Sequence, residues 1–173
     1  MSLFVEKKLL TVEECDVLFN HITELEPSTI IRNSEVVNSN HRTSFQSIIK
    51  TTDDIKKILL DKLKPFNIIN LPPESIILRY EVEQEFKWHR DRWDDNFPER
   101  FKTLVIQLSD NYEYEGGNLI VNVSEDYDNR VTVNVDKGNC VLFRSDLLHC
   151  CTKVLSGTRY SFVSWLRNED FNL

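Results

Sequence analysis

Apolar residues recur at helical spacing only in the first third of the chain. Val12, Cys15, Leu18, Phe19, Ile22 and Leu25 share one face of a ~3.6-residue period, and Thr11 with Glu14 forms the T-x-x-E capping box that opens such a helix. The spacing predicts a helix over 11–25. A second is predicted over 52–64, with Thr51 as its cap, Ile55, Ile58, Leu59 and Leu63 as its apolar stripe, and Pro65 just past its end. Between them, 42–50 reads as a strand. From residue 75 onward the pattern shortens to runs at 75–82, 86–91, 101–109, 117–123, 130–135, 139–145, 147–154 and 159–167. Asp128-Asn129, Lys137-Gly138-Asn139 and Ser156-Gly157 supply turn chemistry between runs. Short strands at this spacing predict a sandwich or barrel. The two helices must bury their stripes, so they are placed outside the β layer. The charged stretch 92–100 (RWDDNFPER) reads either as a moving lid or as a surface excursion.

Composition agrees with one β-rich domain. The chain has 173 residues, 40% hydrophobic and 28% charged, which is globular composition. Alanine, the strongest helix former, is absent, whereas Val, Ile and Thr together number 38. One domain is expected over 1–173, with 1–70 as a helical support region and 75–168 as the β core. The net charge of −7 argues against a nucleic-acid partner, which calls for a basic footprint. No apolar run approaches the ~18 residues of a membrane span, and the opening MSLFVEKKLL is too short and too charged for a signal peptide. Cys15, Cys140, Cys150 and Cys151 form neither a C-x-x-C nor a disulfide framework. The expectation is a reducing, intracellular setting, the cytoplasm.

Of the four histidines, two stand in a suggestive arrangement. His89 and Asp91 are two residues apart, so on a strand they face the same side. His149, on a distant strand, would complete a set of two imidazoles and one carboxylate. That set suits Fe(II) with open coordination positions; zinc also accepts it. Ten residues further on stands Arg159, with Ser161 on the same face. A guanidinium is the preferred bidentate partner of a carboxylate. Together they could hold a dicarboxylic acid whose other end reaches the metal. The segments 147–154 and 159–167 read as a hairpin around Ser156-Gly157. His21 falls on the first helix, and His41 reads as a loop residue.

With these residues the sequence resembles a 2-oxoglutarate/Fe(II)-dependent dioxygenase of the prolyl 4-hydroxylase-like type. The stretch Tyr80 to Asp91, YEVEQEFKWHRD, resembles Y-x-x-G-Q-x-(Y/F)-x-x-H-x-D. LLTVEECDVL resembles the family's opening helix, Arg42-Thr43-Ser44 its R-T-S segment, and Glu115-Gly116-Gly117 its E-G-G turn. The nearest likeness is GNCVLFRSDLLHCCTKVLSGTRYSFVSWL. The resemblance implies a mainly β double-stranded β-helix, or jelly roll, with helices outside. It implies that His89, Asp91 and His149 ligate Fe(II). Arg159 would hold the distal carboxylate of 2-oxoglutarate, supported by Tyr80 and Ser161, while Arg100 and Trp165 would lie towards the substrate.

The implied reaction consumes 2-oxoglutarate and O2, gives succinate and CO2, and places a hydroxyl on an unactivated C–H bond, with ascorbate as reductant. A prolyl residue in a peptide or protein is the expected substrate. The alternatives are a free amino acid or other small metabolite, and a non-catalytic jelly-roll module that retains the metal site. Zinc hydrolysis is disfavoured because no general base is evident. Three departures bear on the substrate and not on the metal. Glu83 replaces the family glycine, Leu119 stands where some members have threonine, and Arg159 where collagen-type members have lysine.

Overall fold

The structure is a computed structural model, and it describes residues 4–32, 35–37, 40–92, 97–124, 129–134 and 136–172. The chain runs β1 (Phe4–Lys8), α1 (Val12–Phe19), β2 (Glu26–Pro27), β3 (Ile30–Arg32), β4 (Glu35–Val37), β5 (Phe45–Lys50) and α2 (Asp53–Leu63). It continues through β6 (Glu74–Tyr80), β7 (Phe86–His89), β8 (Lys102–Gln107), β9 (Tyr114–Gly116), β10 (Leu119–Asn122) and β11 (Arg130–Thr132). The last strands are β12 (Asn139–Arg144), β13 (His149–Cys151), β14 (Val154–Gly157) and β15 (Arg159–Leu166). A major antiparallel sheet has the order β1-β12-β8-β15-β6-β5-β2, and a minor sheet the order β11-β10-β13-β7. The pairs β14-β9 and β3-β4 complete the jelly roll.

The alternation of side chains along the major sheet sorts residues into two layers. On its outer face Ile77, Leu104, Ile106, Phe162 and Leu166 pack against Cys15 and Leu18 of α1 and Ile55, Leu59 and Leu63 of α2. On its inner face Ile76, Leu78, Tyr80, Val105 and Val163 meet Leu119, Val121 and Cys151 of the minor sheet. Every residue of β8 is buried, as befits a strand covered on both faces. The two-residue period therefore turns Thr103, Arg159, Ser161 and Trp165 towards the inside, where the site lies.

The eight strand segments expected after residue 75 are all present, and the helices lie outside the sheet. Four local expectations change. The first helix ends at Phe19, and the cap Asn20 donates back to Asp16 O (3.0 Å). His21 thus lies beyond the helix, bonded through Nε2 to Asp54 (2.9 Å). Thr11 and Glu14 do make the reciprocal capping box. The second helix is preceded by Thr52 as its cap, because the Thr51 hydroxyl is drawn to the carbonyl of Pro72 (2.5 Å). The strand expected over 42–50 is confined to β5. Finally, 147–154 and 159–167 do not form a hairpin. Their partners are separate: β13 pairs with β10 and β7, β14 with β9, and β15 with β6 and β8. Burying both sheets of a sandwich divides successive strands between them, which local turn chemistry does not reveal. Among the described residues no helix is long and apolar enough to cross a membrane.

Glu83, where the resembled pattern has glycine, sits at φ 67°, in the left-handed region. Its N–H donates to Val154 O (2.9 Å), so the turn keeps its shape despite the side chain. Such a backbone costs a non-glycine residue ~1–2 kcal/mol. The exposed ion pair with Lys153 (2.9 Å) offsets little of it. Glu83→Gly is therefore expected to stabilise the fold by about 1 kcal/mol, after the larger unfolded-state entropy of glycine is allowed for. A chemical-denaturation midpoint at or below that of the parent would contradict this.

Candidate metal centre

β7 delivers His89 at its last residue, and Asp91 follows in the bend beyond it. That bend is fixed because the N–H groups of Asp91 and Arg92 both donate to Ser145 O (2.9 Å each). β13 runs antiparallel to β7 and places His149 directly opposite His89. The imidazole centroids are 4.1 Å apart. Asp91 lies between the rings, with Oδ1 3.7 Å from His89 Nε2 and Oδ2 3.4 Å from His149 Nε2. The three candidate ligand atoms all lie within 4.8 Å of one another. Strand pairing, rather than sequence proximity, brings His149 in.

The surroundings set each ligand's state. His89 Nδ1 lies 2.7 Å from Lys87 O and His149 Nδ1 lies 2.9 Å from Leu147 O. A carbonyl only accepts, so each Nδ1 carries a proton, and Nε2 is the atom that each ring would offer to a metal. Phe86 stacks on His89 at 3.4 Å between centroids, and Phe143 packs edge-on to His149 at 4.9 Å. Burial, reinforced by the neighbouring His149, pushes His89 well below its ordinary range, which favours the neutral ligand form. Burial alone would raise Asp91. The field of His149 and its hydrogen bond, the field of His89, and a hydrogen bond from Thr103 together hold the carboxyl well below its usual range. Two buried imidazoles with one carboxylate fit a divalent metal and leave coordination positions open.

Thr103 was not singled out in the sequence. Its Oγ1 donates to Asp91 Oδ2 (2.6 Å) and lies 3.0 Å from Ser145 Oγ. The only local signal was its inward position on a strand. Outer-shell partners of metal ligands typically contribute ~10–100-fold in affinity or activity. Thr103→Val should therefore weaken metal binding about tenfold or more. Titration with Fe(II) under nitrogen measures this, and unchanged affinity would remove Thr103 from the centre.

Arg159 opens β15 and pairs in register with Tyr80 of β6. Its side chain is buried among the sheets. One Nη donates weakly to Cys151 Sγ (3.6 Å) and Ser161 Oγ (3.5 Å), Nε has no partner, and no carboxylate lies within 4.0 Å among the described residues. Burial opposes its charge, but Cys151, Tyr114 and Tyr80 outweigh that and keep the guanidinium protonated. A buried cation without an anion is costly, and it suits a carboxylate brought by a small molecule. Tyr80 is fully buried, 5.6 Å by its ring from this guanidinium, and its hydroxyl bonds with Ser44 and Arg42. Gly117 makes room: a Cβ there would meet Arg159 Cδ at 3.1 Å and Val154 Cγ2 at 2.9 Å.

A second, wider space opens beside His89 and Asp91. This cavity of about 880 Å³ is bordered by His89, Asp91, Arg42, Phe86, Arg100 and Trp165, among others. Arg159, Tyr80 and Ser161 do not border it. Arg100 and Trp165 meet face to face, with the guanidinium 3.9 Å from the indole. His41, read from the sequence as a loop residue, also borders the cavity, with its ring edge-on to Phe86 at 5.9 Å. Of the charged stretch 92–100, residues 93–96 lie outside the described residues.

A jelly roll holding two histidines and a carboxylate, with open positions beside them, is a non-haem Fe(II) oxygenase architecture. The sequence profile of the 2OG-Fe(II) oxygenase superfamily matches residues 75–167, which include all three candidate ligands and Arg159. The chain belongs to that superfamily. It is 29% identical over 106 residues to a PKHD-type hydroxylase of Synechococcus sp. (strain CC9605), covering 61% of this chain and about half, 47%, of that relative's length. A Pseudomonas putida prolyl-4-hydroxylase superposes with a TM-score of 0.71 at 18% identity, over 96% of this chain and 93% of that one. A prolyl hydroxylase from Trichoplax adhaerens, in complex with a hypoxia inducible factor oxygen degradation domain peptide fragment, does so with a TM-score of 0.71 at 15% identity, covering 98% and 85%. At these identities the two structures bear on the fold.

Proposed function

We propose that the chain is a 2-oxoglutarate- and Fe(II)-dependent dioxygenase that hydroxylates a prolyl residue in a peptide or protein, releasing succinate and CO2. The observation that carries this reading is the pairing of the His89–Asp91–His149 cluster with the buried, carboxylate-free Arg159. Residues 1–173 would act as one domain, with 1–70 supporting the 75–168 core, in an intracellular and cytoplasmic setting. The four buried free cysteines accord with a reducing compartment.

His89 Nε2, Asp91 and His149 Nε2 would hold the metal, and Thr103 and Ser145 orient Asp91. Bound iron and 2-oxoglutarate supply the activation of O2. Arg159 receives the distal carboxylate, with Tyr80 and Ser161 as adjacent hydroxyls. Phe86 and Phe143 keep water from the imidazole faces. Arg100 and Trp165 form the wall against which the substrate lies. The large open cavity favours a peptide over a small metabolite, and the complex of the Trichoplax enzyme with a peptide supports this choice. Ascorbate would serve as reductant.

The test is succinate formation from 2-oxoglutarate with Fe(II) and ascorbate, followed by mass spectrometry of proline-containing peptides for one added oxygen atom. No succinate and no Fe(II) affinity would defeat the dioxygenase reading. Succinate with oxygen added only to free amino acids would replace the peptide by a small metabolite.

A further inference from the structure

The wide cavity is basic in an acidic protein. Four arginines border it, Arg42, Arg90, Arg100 and Arg167, against Glu74, Glu99 and the ligand Asp91, although the chain carries −7 overall. Of the four, only Arg167 has a carboxylate partner among the described residues, and Arg90 is exposed to solvent. Arg167 pairs with Glu169 (2.9 Å), and Arg90 donates to the carbonyl of Asp146. The other two have no carboxylate within 4.0 Å among the described residues.

Arg100 is held rigidly. Phe97 covers its guanidinium at 3.8 Å and the Trp165 ring at 3.9 Å, so only its N–H edges remain for bonding. One edge makes a long contact with the Asp91 carbonyl (3.4 Å). Arg42 is 8% exposed, stacks over Phe86 at 4.8 Å, donates to Thr29 O (3.2 Å), bonds with the Tyr80 hydroxyl, and has a buried Nε without a partner. Trp165 Nε1 is likewise buried and unpartnered on this wall. The two guanidiniums lie in one another's field, and both lie in that of Asp91.

Charge accounting shows what is missing, given the function proposed above. Fe(II), Asp91, dianionic 2-oxoglutarate and Arg159 together are neutral. Asp91 is then claimed by the metal, and the cosubstrate's charge is already used. Among the described residues Arg42 and Arg100 then have no carboxylate within 4.0 Å, Glu99 reaching Arg100 only through its field, and a poorly paired charge in a partly desolvated site is costly. We propose that the substrate presents a carboxylate close to the carbon that is hydroxylated, and that Arg42 and Arg100 receive it. They would be specificity-determining residues: planar, charged forks suited to bidentate carboxylate recognition. The carboxylate comes either from an Asp or Glu side chain beside the target residue or from the α-carboxylate of a free amino acid.

The experiment compares acids with their neutral isosteres by titration calorimetry, with Mn(II) in place of iron and 2-oxoglutarate present. The probes are acetylated, amidated proline-centred pentapeptides carrying Glu or Gln, and Asp or Asn, at each flanking position, together with L-proline and L-prolinamide. At least one acid should bind about tenfold or more tightly than its amide, the scale of one charged hydrogen bond. Arg100→Gln and Arg42→Gln should each erase that preference, and Arg100→Gln should bind 2-oxoglutarate as the parent does. Preference among the peptides assigns the carboxylate to a neighbouring side chain, and preference for proline alone assigns it to a free amino acid. Acids and amides that bind equally, or not at all, overturn the proposal without any variant having to fold. A shift of the Arg100 variant's defect to 2-oxoglutarate overturns it too. Loss of 2-oxoglutarate binding in the parent protein would instead count against the dioxygenase function, which separates the two failures.

Discussion

His149→Ala and Asp91→Ala are each expected to reduce succinate formation to background and to remove Fe(II) binding. Neither ligand has a substitute nearby: the cluster His89, Asp91 and His149 is the only one of its kind among the described residues. Losing an outer-shell partner already costs ~10–100-fold, so losing a ligand costs more. The two variants should differ in stability. Asp91 is buried beside two imidazoles and accepts the Thr103 hydroxyl. Removing it leaves Thr103 Oγ1 with Ser145 alone. Asp91→Ala should therefore also lower the apo protein's thermal midpoint. His149→Ala removes ring packing against Phe143 and opens a cavity beside Val121, which is a loss of apolar contact. Metal titration and thermal melts separate the two effects. Normal turnover by either variant would reassign the ligand set.

Arg159→Met is expected to raise the 2-oxoglutarate requirement about 100-fold or more, the loss of a bidentate charged contact worth ~3 kcal/mol. The apo protein should not be destabilised, and its melting temperature should hold or rise. The reason is that this guanidinium is a buried cation whose described partners are a thiol and hydroxyls, with Nε unpaired. Replacing a buried, poorly paired charge by an apolar side chain of similar volume is often neutral or stabilising. A purely structural arginine would behave in the opposite way, with stability lost and the 2-oxoglutarate requirement unmoved. The paired measurement therefore distinguishes binding from scaffolding. Gly117, whose missing Cβ lets the Arg159 side chain pass, belongs to the same pocket.

Much of the centre was legible because strand geometry is periodic. Two residues apart on a strand means one face, which tied His89 to Asp91 and Arg159 to Ser161. The structure keeps both pairs together, although the strand itself ends at His89 and Asp91 lies in the bend. The capping box at Thr11 and Glu14 was legible for a similar reason, since it is contained within one turn of helix. The expected hairpin between 147–154 and 159–167 shows where local reasoning stops. Ser156-Gly157 is turn chemistry, but the chain there runs as β14 beside β9, and the strands on either side enter different sheets.

The sequence by itself determined the mainly β class, the two helices outside it, and the residue types from which a metal centre could be made, because helix and strand periods are written into neighbouring residues. Only the tertiary structure decided that β13 lies against β7, so that His149 faces His89. It also decided that Thr103 reaches Asp91, and that Arg42 and Arg100 stand on one cavity wall with no carboxylate within 4.0 Å among the described residues. These are long-range facts. They follow from burying two sheets and two helical stripes at once, and no short segment contains the competition that settles them.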